Sequence, residues 1–177
     1  MQEEISKGYI AIETEGMRVI IHIMEKASFE SGLADVRSDF QPVLVKISGL
    51  IDNNSGDITI SGHTDNVPIA NTRFRSNWEL ATSRAVSVAH ELLSESVIDP
   101  VRVQVTGHAD TQPRAPNDTA DGRARNRRVD ISIVRGAEID QVRQMSISGN
   151  GAPEATVEQS TAPQGQTEDE DKRHDGT

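Results

Sequence analysis

The chain has 177 residues, no cysteine, 34% hydrophobic and 3% aromatic residues, and a formal net charge of −10. That length holds one domain with appendages, the missing cysteines exclude disulfide staples and thiolate metal sites, and the low aromatic content points to an aliphatic core. Residues 151–177 carry seven carboxylates against two bases, which leaves the first 150 residues at −5, a body too acidic for general nucleic-acid binding by counterion release.

Residues 9–14 alternate weakly, Glu15-Gly16 reads as a turn, and residues 17–24 carry the apolar run Val19-Ile20-Ile21, so a β-hairpin is predicted here. After a loop over 25–35, Phe40, Val43, Leu44, Ile47, Leu50 and Ile51 recur at spacings of three and four. That is one face of an amphipathic helix, which residues 52–56 should stop. Residues 57–61 alternate as a strand and run into Gly62-His63-Thr64-Asp65. Ser76 and Glu79 have capping-box spacing. The helix they open puts Trp78, Ala81, Ala85, Val88, Ala89 and Leu92 on one stripe and should end near Ser96. Residues 102–106 form the next strand, leading into Gly107-His108-Ala109-Asp110. A long polar loop with Pro113, Pro116 and Gly122 follows, and residues 128–134 alternate as the last strand.

This β-β-α-β-α-β-β order predicts an α/β fold, a two-layer sandwich with a mixed sheet. Helices cover one face through right-handed crossovers and the other face is wetter. The domain organisation follows: linker and first strand over 1–16, the folded domain over 17–136, a short helix at 137–148, and a disordered acidic tail over 149–177 where Gly, Pro, Ser, Thr and acids dominate. No apolar run reaches the length of a membrane span, and no signal peptide is visible. The abrupt start Met1-Gln2-Glu3-Glu4 fits a cytosolic protein or a piece of a longer one.

Three constellations carry chemistry. The near-repeat of Gly62-His63-Thr64-Asp65 in Gly107-His108-Ala109-Asp110 puts two similar turns at strand carboxyl ends, where α/β ligand sites form. His63, Asp65, His108 and Asp110 could make a zinc site. The simpler reading has each Gly turning the chain and each Asp or His capping the turn; it carries more weight, because no helix-spaced ligand pair accompanies them. Second, Asn77 and Arg84 lie seven apart on one helix face, so Asp65 and Arg84 can converge. A carboxylate beside a guanidinium is a receptor for a zwitterion, or else a plain salt bridge; spacing alone does not separate the two. Third, Arg123, Arg125, Arg127 and Arg128 crowd into the last strand's approach. With no aromatic platform beside them, nucleic acid is the weaker reading and pairing with nearby carboxylates the stronger. There is no P-loop, nucleophile elbow or Gly-rich dinucleotide turn.

Gly62-His63-Thr64-Asp65, then Asn77-Trp78-Glu79-Leu80-Ala81-Thr82-Ser83-Arg84-Ala85, then Asn126-Arg127-Arg128-Val129 resemble the OmpA-like peptidoglycan-binding family. Its pattern is a Thr-Asp turn, an Asn-x-x-Leu-Ser-x-x-Arg-Ala helix start and an Asn-Arg-Arg-Val approach to a strand; Ala81 departs from the usual Ser. The resemblance covers residues 17–135. Within the family, His63-Thr64-Asp65-Asn66-Val67-Pro68, Ser76-Asn77-Trp78-Glu79-Leu80 and Phe29-Glu30-Ser31-Gly32 are most similar to the periplasmic part of flagellar motor stator B subunits (MotB/PomB type).

The resemblance implies non-catalytic binding of peptidoglycan through diaminopimelate, whose free end carries an ammonium and a carboxylate. It implies Thr64, Asp65, Asn77, Leu80, Arg84 and Arg128 as contacts, with Asn126 and Arg127 shaping the rim. It further implies no cofactor or metal, a homodimer, a periplasmic location, and a stator A subunit (MotA/PomA type) as partner through an inner-membrane helix that this sequence lacks. The alternatives are a general envelope anchor of the outer-membrane-protein or lipoprotein type, and a metal-dependent wall hydrolase using the twin His-x-Asp turns.

Overall fold

The computed structural model describes residues 2–52, 55–94 and 96–134; the helix expected at 137–148 and the tail from 149 lie outside them. The predicted hairpin forms from β1 (Ile10–Glu15) and β2 (Arg18–Met24), paired antiparallel. Its turn needs Gly16, whose φ of 59° is in the left-handed region that penalises a Cβ. Two short helices flank the hairpin, α1 (Gln2–Ser6) and α2 (Glu25–Ser28). Neither is long enough to show an apolar period, so neither was legible in the sequence. The first long helix, α3 (Gln41–Asp52), buries Val43, Leu44, Ile47 and Ile51, but Leu50 at the margin of that stripe is 51% exposed.

Next come β3 (Ile58–His63), α4 (Asn77–Ser94) and β4 (Val103–Ala109), the last preceded by a single 3-10 turn. The buried face of α4 holds Leu80, Ala81, Arg84, Ala85, Val88, Ala89 and Leu92. Trp78, placed on this stripe by spacing, is instead 53% exposed, and the arginine takes part in the buried face. Residues expected as an extended loop contain α5 (Ala120–Asn126), capped by the Thr119 hydroxyl, which accepts from the Gly122 N–H at 3.0 Å. β5 (Arg128–Val134) closes the fold.

The sheet order is β1-β2-β5-β3-β4, with β3 and β4 parallel and every other pair antiparallel. The mixed two-layer sandwich is therefore as expected, with β5 inserted between β2 and β3. Ile23, Ile47, Ile51, Ile58, Ile60 and Ile131 are fully buried between the sheet and the two long helices; each such side chain contributes about 1.5–3 kcal/mol over its exposed state. Among the described residues no helix is long and apolar enough to cross a membrane.

The two motif glycines serve a different purpose from the one expected. Neither Gly62 nor Gly107 has positive φ, so neither is needed to turn the chain. A Cβ at Gly62 would lie 1.9 Å from the Ala81 carbonyl oxygen, and one at Gly107 would lie 2.0 Å from Thr82 Oγ1. These glycines let α4 lie directly on β3 and β4, which fixes the helix carrying Asn77, Leu80 and Arg84 relative to Asp65.

Candidate functional site

Asp65 follows the carboxyl end of β3. Its Oδ1 accepts from the Val67 N–H at 3.0 Å, an Asx turn that holds the carboxylate in place. Asn77, at the start of α4, staples the same loop: its Nδ2 donates to the Asp65 and Val67 carbonyls at 3.2 and 3.0 Å, and its Oδ1 accepts from the Ile69 N–H at 3.0 Å. Leu80 packs with Ala34, Phe74 and Ile69 in a small apolar cluster beneath. Ser76 caps the helix as expected, its hydroxyl accepting from the Glu79 N–H at 3.4 Å, but the Glu79 carboxylate reaches back to the Arg75 N–H, so the box is displaced by one residue.

Arg84, seven residues into α4, is 1% exposed. Its Nε donates to the Leu33 carbonyl at 2.7 Å, its Nη2 donates to Glu25 Oε1 at 2.5 Å, and its guanidinium lies 5.1 Å from the centre of the Phe29 ring. Asp65 and Arg84 are not paired with each other, which removes the plain salt-bridge reading. Arg127 stands between them: its Nη1 donates to Asp65 Oδ2 at 2.6 Å, and its Nε donates to the Glu25 carboxylate. The charges thus alternate Arg84, Glu25, Arg127, Asp65. Burial pulls Arg84 below the ordinary arginine value against the opposing effect of Glu25. For Arg127 burial also acts downward, but its bonds to Asp65 and Glu25 outweigh it and raise the group.

These side chains line a pocket of about 420 Å³ that includes Thr64, Asp65, Asn77, Leu80, Arg84 and Arg127. Two residues of this lining each bury a polar atom that has no hydrogen-bond partner among the described residues, Arg84 Nη1 and Thr64 Oγ1. Buried polar atoms are rarely left unsatisfied.

Glu25 is the site residue that sequence reasoning missed. It lies at the first position of α2, forty residues before Asp65, and no spacing rule links it to either arginine. One predicted contact, Arg128, and one predicted rim residue, Asn126, lie outside this pocket's lining. Arg128 alternates to the other sheet face from core residues Val129 and Ile131; it is 5% exposed, with Nε donating to Asp130 Oδ2 at 3.0 Å and Nη2 to the Gln112 carbonyl at 3.3 Å. Asn126 is fully buried outside the pocket. Its Oδ1 accepts from the Arg114 and Ala115 N–H groups at 2.8 and 3.0 Å, and its Nδ2 donates to the Ala115 carbonyl at 2.8 Å, pinning the loop before α5.

The four residues of the zinc reading do not assemble. Asp65 pairs with Arg127, whereas His63 and His108 stack on the other sheet face with ring centroids 5.1 Å apart. Among the described residues no three His, Cys, Asp or Glu side chains are grouped to hold a metal. Instead that face carries a buried network: His22 Nδ1 lies 2.7 Å from Asp130 Oδ1, and His63 Nε2 lies 3.4 Å from Asp130 Oδ2. Burial, and then Arg128, push His63 from 6.5 down to about 4. The unfolded chain therefore takes up a proton near pH 6.5 that the folded protein refuses until about pH 4. Stability is full above the higher value and falls on acidification through that window. The loss should approach about 3 kcal/mol, and His63→Gln should flatten this limb in urea melts taken from pH 7.5 to 4.5; an unchanged slope would remove His63 as the cause.

A mixed five-stranded sheet carrying an ion-pair pocket between β3 and α4 is the architecture of an OmpA-like domain, and the chain belongs to the OmpA family, whose pattern matches residues 28–127. Its homologues include Motility protein B from several bacteria. It is 40% identical to that of Bacillus subtilis (strain 168) over 126 residues, covering 70% of this chain and 48% of the relative. It is 30% identical to that of Escherichia coli (strain K12) over 161 residues, covering 88% and 51%. The chain thus spans about half the length of the curated relatives it matches. Among solved structures, the cell wall anchor of the T6SS from Pseudomonas aeruginosa aligns with a TM-score of 0.72 at 38% identity, covering 76% of this chain and 94% of that one. The periplasmic domain of Helicobacter pylori MotB aligns with a TM-score of 0.66 at 25% identity, covering 81% and 93%.

Proposed function

We propose that this chain is a non-catalytic peptidoglycan-binding domain that anchors a flagellar motor stator to the cell wall by gripping the zwitterionic end of diaminopimelate. The observation that carries this reading is the pair of unspent buried groups, Arg84 Nη1 and Thr64 Oγ1, in one pocket with the Asp65 carboxylate. Arg84 donates to the ligand carboxylate, with Thr64 beside it. Asp65 accepts from the ammonium; a carboxylate offers about four acceptor positions, so the ammonium adds to the Val67 and Arg127 bonds. Asn77 and Leu80 position the loop and the wall of the pocket. Arg127 balances Asp65 and Glu25 when the pocket is empty. Arg128 and Asn126 act through structure rather than contact.

The Motility protein B relatives and the wall-anchor structure support this role, and the periplasmic location, the homodimer and the stator A partner belong to the same reading. A second reading is an envelope anchor for a different machine, favoured by the T6SS wall anchor's 38% identity. Both readings use the same pocket and differ in what precedes it in the full protein.

Cosedimentation with purified sacculi tests the site. Asp65→Asn keeps the side-chain shape and the Asx turn but removes the charge facing the ammonium. A charge-assisted bond contributes about 1.5–3 kcal/mol, so apparent affinity should fall ten- to hundredfold, and free meso-diaminopimelate should compete for the wild-type protein. Unchanged retention by Asp65→Asn would sink the assignment.

A further inference from the structure

A second pocket, of about 450 Å³, lies on the other side of the Glu25–Arg127 pair, and both residues line both pockets. Ile10, Met24 and Ala124 give it apolar surface, and Lys26, Arg114 and Arg125 add positive charge. Counting Arg127, its lining has four cations against the two carboxylates Glu25 and Asp121, in a chain whose net charge is −10. Arg114 is partly neutralised by Glu13 at 2.8 Å and Arg125 by Asp121 at 2.8 Å. Lys26 has no carboxylate partner among the described residues; its ammonium rests 5.8 Å from the centre of the Tyr9 ring. Local positive excess beside apolar surface, in a pocket that shares Glu25 and Arg127 with the first, is the chemistry of a receptor for a small anionic peptide.

We propose that this pocket is a second subsite for the same wall peptide, taking a carboxylate-bearing, alanine-like portion of the chain that continues from the residue held by Asp65 and Arg84. The proposal rests on the peptidoglycan reading above and extends it from one amino-acid end to a longer peptide. Both linings contain Glu25 and Arg127, and the proposal places one peptide across that shared pair. The apolar residues suit methyl side chains and the Lys26 ammonium suits a free carboxylate. Arg127, with one face toward each pocket, couples them. Burying two or three small groups and forming one exposed ion pair adds little to each contact, but joining the subsites makes the second contact intramolecular.

The test compares two soluble probes on the whole chain by calorimetry: free meso-diaminopimelate, and a muropeptide carrying an intact stem peptide. Wild type should bind the muropeptide about tenfold more tightly. Lys26→Glu, which reverses a cation that has no carboxylate partner among the described residues, and Ala124→Leu, which fills apolar space, should each erase most of that advantage while leaving the free amino acid's Kd unchanged. Equal affinity of wild type for the two probes, or an undiminished advantage in both variants, overturns the second subsite and leaves the first intact. Parallel losses for both probes in both variants also overturn it, because the substitutions would then act through the first pocket. If wild type binds neither probe, the peptidoglycan reading itself fails and this inference with it.

Discussion

Replacing Arg84 with alanine is expected to remove wall retention and, unlike Asp65→Asn, to lower the unfolding free energy by about 3 kcal/mol or more. The reason is where the guanidinium lies. It is 1% exposed and holds the Leu33 carbonyl, the Glu25 carboxylate and the face of Phe29 together. Removing it leaves the Leu33 carbonyl without its donor and a cavity beside an aromatic ring. Glu25 keeps its bond to Arg127, which holds the loss below that of a fully orphaned charge. Arg84→Lys separates the two roles. An ammonium at this depth can restore one ion pair, and so part of the stability, but it lacks the planar fork that reaches Leu33, Glu25 and a ligand carboxylate together. Urea unfolding and sacculus cosedimentation on the same three proteins should show stability recovering in the order alanine, lysine, arginine, with retention in the arginine form alone. Wild-type retention by Arg84→Lys would mean that charge, not geometry, recognises the wall.

Most of this fold was legible where a period was long enough to count. The hairpin, α3, α4 and the alternating strands each repeat their pattern over five residues or more, and each formed. The misses follow from the same physics. α5 has no apolar stripe because its seven residues include three arginine or aspartate side chains and a glycine. What holds it is local: the Thr119 cap, the Asn126 hub, and Gly122, where a Cβ would lie 1.9 Å from the Pro116 carbonyl oxygen. The Thr119-to-Gly122 cap was the signal that could have found it. At the site, Asp65 and Arg84 were recognisable because one motif carries each of them. Glu25 was not, since its role arises only when the end of β2 is brought beside α4 by the sheet. Arg128 shows the limit of motif reasoning: it opens β5 and shares a face with Asp130, outside the pocket lining, whereas Arg127 precedes the strand as the C-cap of α5 and lines the pocket.

The twin turns make the last prediction, because the same dipeptide stands in two different environments. Gly62→Ala would drive its Cβ to 1.9 Å from the Ala81 carbonyl oxygen and 2.6 Å from the carbonyl carbon. Both atoms are backbone in the middle of a regular helical turn, so no rotamer relieves the clash and α4 must lift from β3. Overpacking of this kind costs about 1–3 kcal/mol and sometimes more, and Gly62→Ala should fall at or above the top of that range. It should also weaken wall binding, since lifting α4 carries Arg84 away from Asp65. Gly107→Ala meets Thr82 Oγ1 at 2.0 Å instead, an atom that belongs to a side chain and donates to the Trp78 carbonyl at 2.8 Å. Thr82→Ala deletes that atom, so the double variant Gly107→Ala/Thr82→Ala should recover much of the stability that Gly107→Ala loses. No change at position 81 should rescue Gly62→Ala, because every residue there keeps its carbonyl. A double-mutant cycle at each turn reads the difference: strong coupling between 107 and 82, and none between 62 and the side chain at 81. Coupling of equal size at both turns would show that side-chain crowding, not the backbone approach of α4, is what the first glycine permits.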